Sequence, residues 1–296
     1  MKKNFRGAGV ALITPFKANL EVDFDGLGKI VDNQLDNQMD YLVILGTTAE
    51  TATLNSREKQ QVVDFVCKRV NGRVRIIVGI GSNNTREVIE NMLSMDLSMA
   101  SAVLSVVPYY SKPTQEGIYQ HYMAIAQESP LPLILYNVPG RTGVNMSAET
   151  TLRLAHASEK IIATKEASGN ISEITRILRD KPSGFNVISG DDNLIVPIIA
   201  LGGEGVISVA ANVVPKAIAD LTHSALDGNF SNAARIQLRL QKMCDNLFIE
   251  GNPAGAKAAL HSVGMIENVL RLPLVPVSKK TYETLAKELQ NLSVNK

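Results

Sequence analysis

The sequence predicts a (β/α)8 barrel of the TIM type with a helical appendage at its C-terminus. Three observations lead there. Short β-branched, apolar runs alternate with longer amphipathic segments from the N-terminus to about residue 225. Eight such runs can be counted, the number that closes a parallel barrel. A length of 296 residues also suits one large unit of this kind. An open doubly wound sheet is the alternative, but no GxGxxG follows a strand, and Gly79-Ile80-Gly81 lacks the third glycine.

Taken in order, the strands are expected at Val10–Thr14, Tyr41–Leu45, Arg75–Gly79, Ala102–Val106, Leu133–Asn137, Ile161–Lys165, Asn186–Ser189 and Val206–Val209. Helical periodicity fills the gaps, as in Asp25–Gln38, Ser56–Val70, Thr85–Met95, Gln115–Glu128, Ser147–Ala157 and Ser172–Arg179. Ser56 and Ser147 each precede an acidic first turn, which marks a helix start. After about Ala225 the pattern is helical only, broken at Asn252-Pro253 and across Arg271–Pro276. The expected division is therefore a barrel with the active site in residues 1–225 and a packed helical region in 226–296.

Composition narrows the function. Thirty basic side chains against 29 acidic ones leave a net charge of +1, which argues against a nucleic-acid or membrane partner. The apolar run Ala8–Ile13 is too short for a secretory leader and lacks a cleavage site, and no stretch reaches the length of a membrane span. Cys67 and Cys244 stand far apart without a CxxC or Cys/His cluster, so neither zinc nor a disulfide is indicated. A cytoplasmic protein with small-molecule ligands is expected.

In such a barrel the chemistry lies at the C-terminal strand ends. Collecting their polar residues gives Thr47-Thr48, Tyr109-Tyr110, Tyr136, Arg141, Lys165, Gly190-Asp191-Asp192 and the Gly205–Ser208 run. Lys165 ends an apolar run and is expected to share a strand face with Ile161 and Ala163, where desolvation favours an uncharged amine. The bland reading is a lysine whose stem packs on apolar neighbours while its head reaches solvent. The sharper one is a Schiff-base nucleophile. Each companion also has a plain use: Thr47 and Thr48 as helix caps, the tyrosines as core aromatics, Arg141 as a solvated charge. Asp191 and Asp192 lack a third ligand for a metal, Gly202–Gly205 serves equally as a turn, and His121, His156, His223 and His261 fall in helices. Convergence on one rim favours the sharper reading.

Four motifs in this order resemble the pyruvate-dependent class I aldolase superfamily of lysine-Schiff-base barrels: GTTAE (46–50), YY (109–110), YNVPGRTG (136–143) and KEASG (165–169). GDD (190–192), GGEGVIS (202–208) and RLPLVP (271–276) extend the resemblance over nearly the whole chain. The threonine pair, the second tyrosine and the arginine after YNVP resemble the branch that joins pyruvate to L-aspartate 4-semialdehyde on the diaminopimelate route to lysine. Sugar-acid aldolases, N-acetylneuraminate lyase among them, are the alternative on the same scaffold. A barrel that only binds a metabolite is a more distant one.

The resemblance implies that Lys165 forms the Schiff base and that Tyr136, Thr47 and Tyr110 relay protons, Tyr110 reaching across a dimer contact. It implies that Thr48 and the backbone near Ile207 hold the pyruvate carboxylate, that Arg141 clamps the second carboxylate, and that Gly190 lines the substrate site. It also implies a homodimer or a tetramer of two dimers, with no metal or cofactor beyond the covalent adduct. A regulatory lysine site would use Thr51, Ala52, Ser56, Lys59, Asn83, Glu87 and Tyr109. Ser56 and Lys59 replace the histidines common in lysine-sensitive members, and Lys59 sets a like charge near the inhibitor's ammonium, so weak or absent inhibition is expected. Ala49 stands where the motif has glycine, and its methyl is expected to restrict the turn.

Overall fold

The structure, a computed structural model, describes residues 5–294. Eight parallel strands close into a barrel in sequence order, β1 pairing with β8. The strands are β1 (Gly7–Ala11), β2 (Tyr41–Ile44), β3 (Arg75–Gly79), β4 (Ala102–Val106), β5 (Leu133–Asn137), β6 (Ile161–Glu166), β7 (Asn186–Ser189) and β8 (Gly205–Ser208). Between them run α1 (Phe24–Asp36), α2 (Ser56–Val70), α3 (Thr85–Ser94), α4 (Gln115–Glu128), the short α5 (Pro139–Thr142), α6 (Ala148–Ala157), α7 (Ile171–Asp180) and α8 (Ile195–Ala200). α9 (Pro215–Leu226) completes the ring, and α10 (Phe230–Asn246), α11 (Ala254–Ser262) and α12 (Lys279–Val294) follow. α10 packs on α8, α9 and α12. The expected (β/α)8 barrel with added C-terminal helices is what forms.

Two apolar layers hold it. Ile77, Ala102, Leu104, Ile134, Ile188 and Ile207 fill the inside of the barrel. A larger set, including Val10, Leu42, Val78, Val103, Leu135 and Val187, packs outward against the helices. Each strand alternates between the layers, which is why its sequence reads as a continuous apolar run. The N-terminal end is plugged by Tyr41, whose hydroxyl donates to Val206 O at 2.8 Å and whose ring meets Phe5 edge-on at 5.6 Å. Gly9 faces this ring, and a Cβ there would lie 2.0 Å from it.

Three expectations need correction. β1 begins at Gly7 and not at Val10, because pairing with β8 starts at Gly7–Gly205 and the chain leaves the sheet after Ala11 toward Pro15. α2 is capped by Asn55, which accepts from Glu58 N while Glu58 reaches back to Asn55 N, so Ser56 is the first helical residue and not the cap. Ser147 does cap α6. Ile161 does not share a face with Lys165. The β5–β6 register slips between Ile161 and Ala163, a bulge that turns Ile162 inward and sends Ile161 to the outer layer.

Candidate active site

The ends of β5 and β6 carry the centre of the site. Tyr136 sits opposite Lys165 in the parallel register, and both side chains point into the barrel mouth. Lys165 is 5% exposed and Tyr136 7%, with Lys165 Nζ 4.2 Å from the ring centroid. The amine therefore rests on the π-face of a phenol amid Ala163, Ile188 and Ile207. Gly190, at the end of β7, leaves room for it: a Cβ there would come within 3.1 Å of Lys165 Cε and 2.9 Å of Glu166 O. Ile207 is fully buried on the inner face of β8.

The strand end is braced from behind. Glu166, next to Lys165, points outward and accepts from Ser168 Oγ at 2.9 Å and from Asn137 Nδ2. Asn137 also donates to Asn145, which donates to Glu173. Burial pushes the Glu166 carboxyl up to about 8, so it carries its proton at neutral pH. Burial likewise raises Asp191; Asp192 adds to this, while the Lys165 charge opposes it. Asp192 accepts from Val209 N and Ala210 N and so fixes the turn after β8. Among the described residues no group of three or more His, Cys, Asp or Glu is placed to hold a metal.

The loop after β2 folds into two 3-10 turns, Thr47–Ala49 and Thr51–Thr53, hinged at Glu50 in the left-handed region at φ 53°. Ala49 is buried with ordinary dihedrals, so its methyl does not restrict the turn, because the left-handed position falls one residue later. Thr47 is exposed, whereas Thr48 is buried and accepts from Asn252 Nδ2 at 2.9 Å. Arg141 Nη2 donates to Asn252 O at 3.2 Å. Asn252, between α10 and α11, thus joins two predicted site residues. Sequence reasoning passed over it, reading Asn252-Pro253 only as a break between helices.

Tyr110 behaves differently. It is 87% exposed at φ 71°, and Tyr109 beside it is 39% exposed. The candidate regulatory residues lie on neighbouring loops and first helical turns. Thr51 donates to Gly46 O, Glu87 accepts from Ser82, Lys59 is half-buried, and Ala52, Ser56 and Asn83 are exposed. His121, His156, His223 and His261 hydrogen-bond Thr85, Asp180 O, Asp40 and Tyr282, all away from the mouth. No helix among the described residues is long and apolar enough to cross a membrane.

Comparison with known proteins agrees with this geometry. The dihydrodipicolinate synthetase family matches residues 4–292. The 4-hydroxy-tetrahydrodipicolinate synthase of Parabacteroides distasonis is 52% identical over 291 residues, 98% of each chain. The crystal structure of dihydrodipicolinate synthase from Aquifex aeolicus superposes with a TM-score of 0.94 at 42% identity, covering 98% of both chains. That of the Acinetobacter baumannii enzyme complexed with pyruvate gives 0.95 at 38% identity, covering 98% of this chain and 100% of that one. A buried lysine at the end of the sixth strand, a phenol beside it and a likeness running the length of the chain have one meaning: the chain belongs to the dihydrodipicolinate synthetase family.

Proposed function

We propose that the chain is a 4-hydroxy-tetrahydrodipicolinate synthase, a lyase that condenses pyruvate with L-aspartate 4-semialdehyde. The observation that carries the reading is Lys165, buried at the mouth on the ring of Tyr136 with a glycine cleared for it at 190. As a free amine, Nζ adds to C2 of pyruvate, and loss of water leaves a protonated imine. That imine takes the electron pair released when C3 gives up a proton, forming an enamine. The enamine carbon then attacks the aldehyde, whose oxygen gains a proton. The substrate amine displaces Lys165 from the imine carbon, which closes the ring and returns Nζ for another cycle. Every electron pair is accounted for by the imine, so the reaction calls for no metal or pyridoxal group.

The other residues supply protons and charge. Tyr136 stands next to Nζ and passes protons between substrate and solvent, with Thr47 and Tyr110 continuing the relay. Thr48 and the backbone at Ile207 hold the pyruvate carboxylate, and Gly190 borders the same space. Arg141 suits the second carboxylate because a guanidinium binds it with two hydrogen bonds. A sugar-acid aldolase would need neutral groups there, and a mere binding barrel would need no relay. Exposure of Tyr110 supports a homodimer in which this tyrosine enters the partner's site, singly or within a tetramer of two dimers. The catalytic barrel in this reading is residues 1–225 and the supporting helices 226–296, in a cytoplasmic enzyme.

Borohydride reduction in the presence of pyruvate tests the proposal. The enzyme should gain a covalent adduct that maps to Lys165, and Lys165→Ala should lose about four orders of magnitude in turnover. Absence of any adduct, or an undiminished Lys165→Ala, would remove the reading. Turnover with L-aspartate 4-semialdehyde against sialic acid separates it from the sugar-acid alternative. We expect weak or absent inhibition by lysine, and strong inhibition at millimolar lysine would contradict the assignment of Ser56 and Lys59.

A further inference from the structure

Behind the Thr47–Thr48 loop lies a buried charge cluster that the reaction does not use. Lys257, on α11, and Glu50, at the hinge of the loop, form an ion pair with both side chains fully buried. Lys257 Nζ also donates to Val269 O at 2.9 Å and lies 4.0 Å above the ring centroid of Phe16. Glu50 Oε2 accepts from Arg271 N at 3.0 Å. The Arg271 guanidinium then bonds Thr53 O, at the end of the same loop, and Glu58, in the first turn of α2. Four groups from the C-terminal region and the loop are thus wired together under the site.

Two physical points decide what this arrangement is for. Glu50 adopts a left-handed conformation that a residue with a Cβ occupies only at a cost, and only when the surroundings over-determine it. Reaching Lys257 with a fully buried carboxylate is what over-determines it here. Adhesion between barrel and appendage does not need the pair, since well-packed apolar residues would join them equally well. What a buried ion pair adds is a single register: the loop can satisfy both charges in one conformation only. Burial also pushes Lys257 down to about 8, with the Glu50 carboxylate opposing, so the ammonium is kept by its partner.

We propose that Lys257 is a positioning residue for the active site: through Glu50 it sets the Gly46–Leu54 loop so that Thr47 and Thr48 present their hydroxyls to the mouth. The effect on catalysis rests on the function proposed above; the effect on the loop does not.

The test uses Glu50→Gln/Lys257→Met, because Lys257→Met alone leaves an unpaired buried carboxylate and can fail to fold. The double variant removes both charges and keeps both stems. Amide hydrogen exchange should accelerate at least about tenfold at Ala49, Glu50, Thr53 and Leu54, with the β6 amides unchanged. Pyruvate KM should rise at least about fivefold, with a smaller fall in kcat and a full yield of borohydride adduct at saturating pyruvate. Unchanged exchange in the loop, or equal acceleration throughout the barrel, overturns the positioning role. If the unmodified enzyme forms no adduct, the function proposed above fails, and the exchange result still decides whether Lys257 holds the loop.

Discussion

Two loops at the C-terminal strand ends of this barrel carry hydroxyl groups, and they are held in opposite ways. The loop after β2 is locked from below: Glu50 pairs with buried Lys257, Arg271 bonds Thr53 O, and Asn252 donates to Thr48. The loop after β4 carries Tyr110, 87% exposed and left-handed, with no hydrogen-bond partner among the described residues. The first loop is completed within one chain. The second holds a phenol out to solvent. On the function proposed above, the barrel holds its nucleophile internally and takes one proton-transfer group from outside.

The largest effect that could break this contrast is at Tyr110. Tyr110→Phe should cost about 10²–10⁴ in kcat without changing Tm, as for a group that only moves protons. Coexpression of Tyr110→Phe with Lys165→Ala should restore about a quarter of normal activity, because half of the dimers are hybrids with one complete site. No recovery would mean that Tyr110 acts within its own chain. At the locked loop the loss should instead appear in stability. Lys257→Met should cost about 3–5 kcal/mol in urea unfolding, since the buried Glu50 carboxylate loses its countercharge and keeps only the hydrogen bond from Arg271 N. A cost below 1 kcal/mol would show that the lock is loose.

A third measurement sharpens the picture at β6. Native Glu166 holds its proton up to about 8, whereas the unfolded chain releases it near the ordinary 4.5. Between those values the unfolded state binds fewer protons than the native one, so stability is full below pH 4.5 and is lost as pH rises through 8. Glu166→Gln should match the parent at pH 4 and exceed it by a few kcal/mol at pH 8.5. A parallel pair of pH profiles would refute this. The smallest effect is expected for Asn252→Ala, which frees Thr48 Oγ1 and should raise pyruvate KM about tenfold, with kcat changed less. An unchanged KM would detach Asn252 from the site.

What the sequence revealed follows the range of the forces involved. The strands were legible because a parallel barrel buries both faces, so apolar runs at Tyr41, Arg75, Ala102, Leu133 and Asn186 start where the runs begin. β1 was misplaced because its inner positions, Gly7 and Gly9, are glycines that leave space for Asp40 and Tyr41 and carry no β signal of their own. Ile161 was given the wrong face because a bulge is invisible to simple alternation. Lys165 and Tyr136 could be found because each lies one residue before the end of its strand. Asn252 and Lys257 could not, because their partners Thr48 and Glu50 lie some 200 positions away and meet them only in three dimensions.

That separation has a consequence for how the enzyme is made. Thr48 and Asn252 are 204 positions apart, so the ribosome releases the loop long before the side chains that fasten it. Until Asn252 is made, Thr48 lacks the amide that fastens it, while Tyr136 and Lys165 are already in the chain. Completion of the loop's fastenings falls to Asn252, Lys257 and Arg271, among the late-made residues of the chain.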